Sequence, residues 1–384
     1  MGLRQGLLAA ALIGIATPAL AGQDHILVGI DDTAFFEATA QVFHKPGQDA
    51  VLVLDASDAA HPRIAASLPL TNSVLGPPTN LQITPDGRLG LVASSVTVAD
   101  KAGTWTATPD NRLWVIDLAA SPPGLVDTVT VGRQPSGLAI SRDGTMALIA
   151  NRAGKSVSVL SIAGSKVTQT AEVPVGDEVV AVAISPDGRR GFVAKNAAGK
   201  IGVLAIDGGR VTYDKAQDMP AGFNPYNLDA TADGALVLAA NNGIAGNAAT
   251  LTVIDARATP PRVIDTVTVG DSPEGFAIAP DGRSGVSVLL RGSSLPHAAW
   301  AYRRNGSVAA FGIDGRRVTP KGAEVEIGAL PEGVAYSRDG SHVYVADYVD
   351  RVLHVLRVTA DGVADTGTKL DLPGQPASMR GIAH

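Results

Sequence analysis

Apolar residues along this chain fall into short runs, and the runs are punctuated in one recurring way. Two or three apolar residues lead to a hydroxyl or small residue, then X-Asp-Gly, then a second apolar run. Six copies are present, with their turn signals at Asp86-Gly87, Asp143-Gly144, Asp187-Gly188, Asp233-Gly234, Asp281-Gly282 and Asp339-Gly340. Glycine supplies the positive φ of a tight turn and aspartate bonds its own backbone, so each copy predicts a hairpin between two strands. Successive Asp residues lie 57, 44, 46, 48 and 58 positions apart. A base period in the mid-forties is the length of one four-stranded propeller blade.

One repeat shows the pattern. Gly137–Ser141 is a short apolar strand, Asp143-Gly144 turns the chain, and Thr145–Ala150 returns it. Ser156–Ile162 alternates polar and apolar positions as a half-buried strand does, and Val167–Val175 follows as a β-branched fourth strand. The same phrase recurs from each Asp-Gly turn. Before the first of them lie three strand-like segments at His25–Gly29, Ala50–Asp55 and Arg63–Leu70, which lack an inner strand. Near the C-terminus, Gln375–Ile382 is an inner strand with nothing after it. The two fragments complete one another. The expected fold is all-β: a seven-bladed β-propeller with four antiparallel strands per blade, the last blade closed by N- and C-terminal strands, which removes the exposed sheet edge.

Register then assigns loops to faces. The Asp-Gly turns mark one face, the bottom. The long connections at 31–49, 94–112, 241–249 and 291–306 all join second to third strands and fall on the other face, the top. Long loops on a rigid scaffold are where binding groups sit. These loops hold His44, Trp105, Arg291, His297, Trp300, Tyr302 and Arg303. Aligned inner strands place Thr79, Ser136, Val180, Tyr226, Glu274, Glu332 and Ala377 at one height around the channel mouth, next to mostly small residues. Two carboxylates in adjacent blades, Glu274 and Glu332, stand out. Asp347 follows the second strand of the Glu332 blade, and Asn151, Lys195, Asn196 and Asn241 occupy the matching positions. Oxygen ligands converging there can hold Ca²⁺ or Mg²⁺, with Glu274 and Glu332 as the metal ligands.

Composition narrows the classes. Arg4, the apolar Leu7–Ile15 and Ala19-Leu20-Ala21 make residues 1–21 a secretory signal peptide, leaving 22–384 as a single propeller domain. No later run is apolar enough to span a bilayer, so an exported, soluble, periplasmic protein is expected. With no cysteine, disulfides and thiolate metal sites are excluded. A net charge of −6 without a basic cluster argues against nucleic acid. No Gly-x-Ser-x-Gly elbow is present.

Val343-Tyr344-Val345-Ala346-Asp347, and Leu148–Asn151 leading to Ser156–Leu160, resemble the YVTN-type propeller repeat. That resemblance implies the group of bacterial seven-bladed propellers containing lactonase-like proteins and quinoprotein amine dehydrogenase heavy chains. It carries no catalytic residues over to this chain. Three readings stay open: a binding module using its top face for a small molecule or a periplasmic protein, a lactonase-like metal-assisted hydrolase, and a non-catalytic subunit of a periplasmic redox complex.

Overall fold

The computed structural model describes residues 24–72 and 75–383; the expected signal peptide lies outside them. Seven antiparallel sheets form the ring, four-stranded except in the third blade, whose outer edge is split into two short strands, Arg210–Tyr213 and Met219–Pro220. Blades 1 to 6 run in chain order, with inner strands Leu81–Ile83, Pro135–Ile140, Ala181–Ile184, Pro225–Ala230, Pro273–Ile278 and Pro331–Tyr336. Blade 7 takes its inner strand, Gln375–Arg380, from the C-terminus and the rest, His25–Asp31, Ala50–Asp55 and Arg63–Leu68, from the N-terminus. His25–Asp31 is buried along its whole length between its two partners, with Leu27 opposite Arg380 and Val53. The sharing of blade 7 between the two ends therefore holds. The chain end adds a further tie: Ile382 bridges in parallel to Ile83 of blade 1.

The apolar core sits between blades. Ile26, Val28, Leu52 and Leu54 of blade 7 pack against Tyr344, Leu353 and Val355 of blade 6, and an equivalent layer fills each neighbouring pair. The alternation that predicts half-buried strands thus arises from blades stacking face to face rather than from a solvent-exposed sheet.

Two expected loops are strands instead. The 94–112 connection is a hairpin arm in which Leu89–Lys101 and Thr104–Asp117 pair out to Lys101–Thr104. Ala102 and Gly103, with φ of 53° and 83°, supply the two left-handed residues of its turn. The 31–49 connection holds a small hairpin, Ala34–Phe36 against Gln41–Phe43. Runs such as Val96-Thr97-Val98 and Phe35-Phe36 are β-prone, and pairing within each excursion satisfies its backbone outside the blade sheets.

The Asp-Gly turns share one hydrogen-bond device. In the third blade, Ser185 Oγ donates to Asp187 Oδ1 at 2.6 Å and accepts from the Arg190 amide at 3.0 Å. Thr84, Ser141, Thr231 and Ser337 do the same. In blade 5 the position is Ala279, so its turn keeps the backbone bonds without the hydroxyl. The hydroxyl lowers the Asp143 and Asp339 carboxyl pKa below the usual range.

At the bottom of the channel, Arg380 of blade 7 reaches across the axis. Its guanidinium donates to the Leu138 carbonyl of blade 2 at 2.9 Å and pairs with Asp229 of blade 4 at 3.4 Å. A cavity of ≈ 110 Å³ surrounds this strut, lined by Gln82, Ile140, Ile184, Phe276 and Tyr336 among others.

Ser185→Ala should therefore cost about 1 kcal/mol, the worth of a partly buried hydrogen bond, and Ala279→Ser should recover a comparable amount in its own blade. Urea midpoints for the two variants check this; equal midpoints for wild type and both would refute the hydroxyl's role.

Candidate functional site

The mouth of the channel is built by two recurring backbone features. The inner strands of blades 2, 5, 6 and 7 carry Pro-X-small at their start, and in blades 5, 6 and 7 X (Glu274, Glu332, Ala377) lines the axial cavity. In blades 5 and 6 the small residues are Gly275 and Gly333. A Cβ on Gly275 would lie 2.7 Å from the Glu332 carbonyl oxygen, and one on Gly333 would lie 2.5 Å from the Met379 Cβ. Only glycine lets the inner strands come this close, and that closeness brings Glu274 and Glu332 to one wall.

The second feature precedes the proline. Gln134, Asn224, Ser272 and Leu330 are all left-handed, with φ of 55–57°, a conformation non-glycine residues rarely adopt. Their carbonyls thereby face back and accept the amides of Arg152, Asn242, Leu290 and Tyr348 at 2.8–3.0 Å. These four residues each follow the last residue of a second strand. Three of them, Arg152, Asn242 and Tyr348, contribute side chains to the site.

Glu274, Glu332, Tyr226, Arg152, Tyr348 and Phe36 line a cavity of ≈ 230 Å³ on the top face. Glu274 is buried and accepts from the Asn242 amide. Burial pushes its carboxyl up to about 7, against the Asn242 bond and the Arg152 charge, which pull it down. Glu332 is also pushed well above the ordinary value, by burial first and by the negative charge of Glu274 second. Burial thus favours the neutral form of both carboxyls, and ionisation of one opposes ionisation of the other. Burial also keeps the Tyr226 and Tyr348 phenols neutral. Arg152 is clamped outside the pair by Glu178 at 2.9 Å and the Leu75 carbonyl at 3.1 Å.

The small hairpin overhangs this cavity. Phe36 packs edge-on to Tyr348, with centroids 5.6 Å apart, and Tyr348 Oη donates to the Ala34 carbonyl at 2.7 Å. The 291–306 loop braces the hairpin through the His297 amide and the Ala38 carbonyl at 2.8 Å. Around the rim, Leu290, Leu330, Tyr348 and Ala377 form an apolar collar.

Of the eleven residues expected at the site, Glu274, Glu332 and Tyr226 meet in this cavity. Asp347 does not line it. Its carboxylate lies between blades, paired with His354 Nε2 at 2.6 Å and accepting the Gly328 amide at 2.8 Å. Asn151, Lys195 and Asn241 likewise point away from the axis. Lys195 is fully buried. Burial opposes its charge, but Asp177, Asp218 and Tyr213 more than offset this and raise its pKa. Side chains alternate along a strand, so the residue on the mouth side is the next one: Arg152, Asn242 and Tyr348, and Asn196, which is among the expected residues and holds Glu178. In the other three blades a one-residue shift in register separates the expected residue from the observed one.

Arg291 pairs with Glu326 at 3.3 Å on the rim. The rings of His297 and Tyr302 stack at 4.5 Å, and Arg303 bonds the Tyr302 carbonyl. Trp300 is 80% exposed, on the same face as the exposed Phe223 and Ile244. Trp105 and His44 line a separate open cleft of ≈ 620 Å³ between the two hairpins, with Phe35 and Phe43.

The donor set does not fit Ca²⁺ or Mg²⁺. Such ions take six or more oxygens. This wall offers two carboxylates beside a guanidinium, and the third carboxylate expected there is turned away. Among the described residues, no group of three or more His, Asp or Glu is arranged to hold a metal.

No family model and no curated protein matches the chain. Solved structures share its fold at low identity. The periplasmic gluconolactonase of Pseudomonas aeruginosa is 19% identical, with a TM-score of 0.65 over 94% of this chain and 99% of that one. A putative 6-phosphogluconolactonase from Bacteroides fragilis gives 16%, 0.69, 95% and 99%. Hydrazine synthase of Kuenenia stuttgartiensis gives 18%, 0.60, 80% and 90%. The lactonase-like propellers are thus among its structural neighbours, as the repeat suggests.

Both carboxyls of the pair titrate above the unfolded value of about 4.3. The stability this confers is complete below that pH and is lost as pH rises through about 7 for Glu274. Replacing both by Gln should therefore flatten stability between pH 5 and 8 relative to wild type, as read by denaturant titration; parallel curves would refute the raised values. Asp347→Asn should lower stability by about 1–3 kcal/mol while leaving ligand affinity of the cavity unchanged.

Proposed function

We propose that the top-face cavity binds a small, neutral, polyhydroxylated molecule. The observation that carries this reading is the buried Glu274–Glu332 pair beside Tyr226, Tyr348 and Asn242 in a cavity of ≈ 230 Å³, in which one carboxyl serves as acid and the other as base. Hydroxyl groups donate to the carboxylate and accept from the acid and the Tyr226 phenol, while Phe36 and Tyr348 offer apolar faces to a sugar ring. Such a ligand should raise the thermal midpoint in proportion to the logarithm of its concentration. Glu274→Gln, which fills the same space without the charge, should weaken binding about tenfold or more. A panel of sugars, sugar acids and sugar lactones, none of which shifts the midpoint, would overturn the reading.

The pair also favours a second reading, hydrolysis of a sugar lactone. A carboxyl near 7 is suited to acid–base work at neutral pH. The basic carboxylate takes a proton from water as its oxygen adds to the lactone carbonyl. The ring C–O bond then breaks, and the neutral carboxyl gives its proton to the departing oxygen. Two of the structural neighbours carry gluconolactonase names, which supports the choice of substrate class. Glu274→Gln and Glu332→Gln should each lower kcat/KM about 100-fold or more, with the wild-type profile falling as pH drops below 7. Unchanged turnover in both variants would leave binding alone.

We also propose export to the periplasm, on the basic, apolar and small-residue pattern of residues 1–21. N-terminal sequencing of protein recovered from the periplasm should begin at Gly22; an intact Met1 would refute this.

A further inference from the structure

We infer that the site selects uncharged ligands and rejects those bearing a phosphate or carboxylate, and that Glu178 sets this selectivity by holding the positive charge of Arg152. The inference rests on the small-molecule reading of the cavity. Arg152 is the one cationic side chain among the residues lining it. An arginine in such a wall would ordinarily be taken as an anion anchor. Here its Nε donates to Glu178 Oε1 at 2.9 Å and its Nη1 to the Leu75 carbonyl at 3.1 Å. Asn196 Nδ2 holds the same Glu178 oxygen at 3.2 Å. The clamp fixes the carboxylate as well as the guanidinium, so the cation is offset within the protein.

The acidic residues of the lining outnumber this one cation. Glu274 and Glu332 share one wall, and Glu178 stands behind Arg152. The buried Asp31 and the half-buried Asp49 lie below the hairpin, near enough to act on the Tyr348 hydroxyl. An anionic ligand would have to sit beside the carboxyl pair, with the one cation of the lining already paired to Glu178. A neutral polyol meets no such cost, since each carboxyl oxygen can accept a hydroxyl.

The same charge arrangement gives hydrolysis a direction. A lactone enters without charge and leaves as a carboxylate, with one proton released. The new anion forms against the acidic wall and is driven out, so product should bind far more weakly than substrate.

The test compares glucono-1,5-lactam, a stable neutral mimic, with its 6-phosphate, by calorimetry on the mature protein. Wild type should bind the lactam at least tenfold more tightly than the phosphate. Raising salt should narrow the gap by screening the repulsion. Glu178→Gln should free Arg152 and improve phosphate binding tenfold or more, with lactam affinity little changed. Should Glu178→Gln fail to fold, the wild-type salt dependence alone decides. Equal binding, or tighter binding of the phosphate, would overturn the selectivity and leave the small-molecule reading intact. Binding of neither would overturn both.

Discussion

A closed ring of blades is held by the pairing of its two ends. Each of the other six blades is contiguous in sequence and joins its neighbours mainly through apolar faces, with a few hydrogen bonds and ion pairs such as Arg190 to the Ala256 carbonyl and Arg316 to Asp255. Blade 7 is different, because its first strand comes from one end of the chain and its other three from the opposite end. Five residue pairs join His25–Asp31 to Gln375–Arg380, and none of them is local in sequence. Without them, blades 6 and 1 would each expose an apolar face, and the inner strands would lose the circular constraint that presses them together. The Ile382–Ile83 bridge carries the tie one blade further. The close approach of Gly275 to Glu332, on which the paired carboxyls depend, exists only under that constraint.

The mouth adds a second requirement, satisfied locally. Four residues before an inner-strand proline adopt a left-handed backbone. Strain of this sort persists where the surroundings over-determine it, and here it is held by the carbonyl-to-amide bond into the adjacent second strand. The reward is precision in placement. Arg152, Asn242 and Tyr348 are placed by their own backbone amides, and their side chains are then held by Glu178, Glu274 and the Ala34 carbonyl in turn. The overhanging hairpin then closes the space from above through Phe36.

The fold was almost wholly legible because it is written six times. Asp-Gly steps, strand alternation and two incomplete fragments suffice to give seven blades and their register. The pairing of Glu274 with Glu332 was legible for the same reason, since both follow an aligned proline. Asp347 was misplaced because the end of a second strand cannot be located to one residue from turn signals alone, and a shift of one reverses the side chain's direction. Arg152 and Asn242 were missed by the same step. The hairpin carrying Phe36 was read as a loop because three-residue strands leave almost no periodic trace. Nothing in the sequence could report that Glu178 and Arg152 meet, as their contact depends on how blades 2 and 3 lean together.

Arg380 changes what kind of vessel the ring is. By bonding to blades 2 and 4 from blade 7, it bars the axis near the bottom, and no residue lines both the lower cavity and the upper one. The strut thus divides the axis into a lower and an upper compartment, and the upper one is overhung by the short hairpin that carries Phe36. Two chemistries can therefore be placed on one axis without touching, the guanidinium below and the paired carboxyls above.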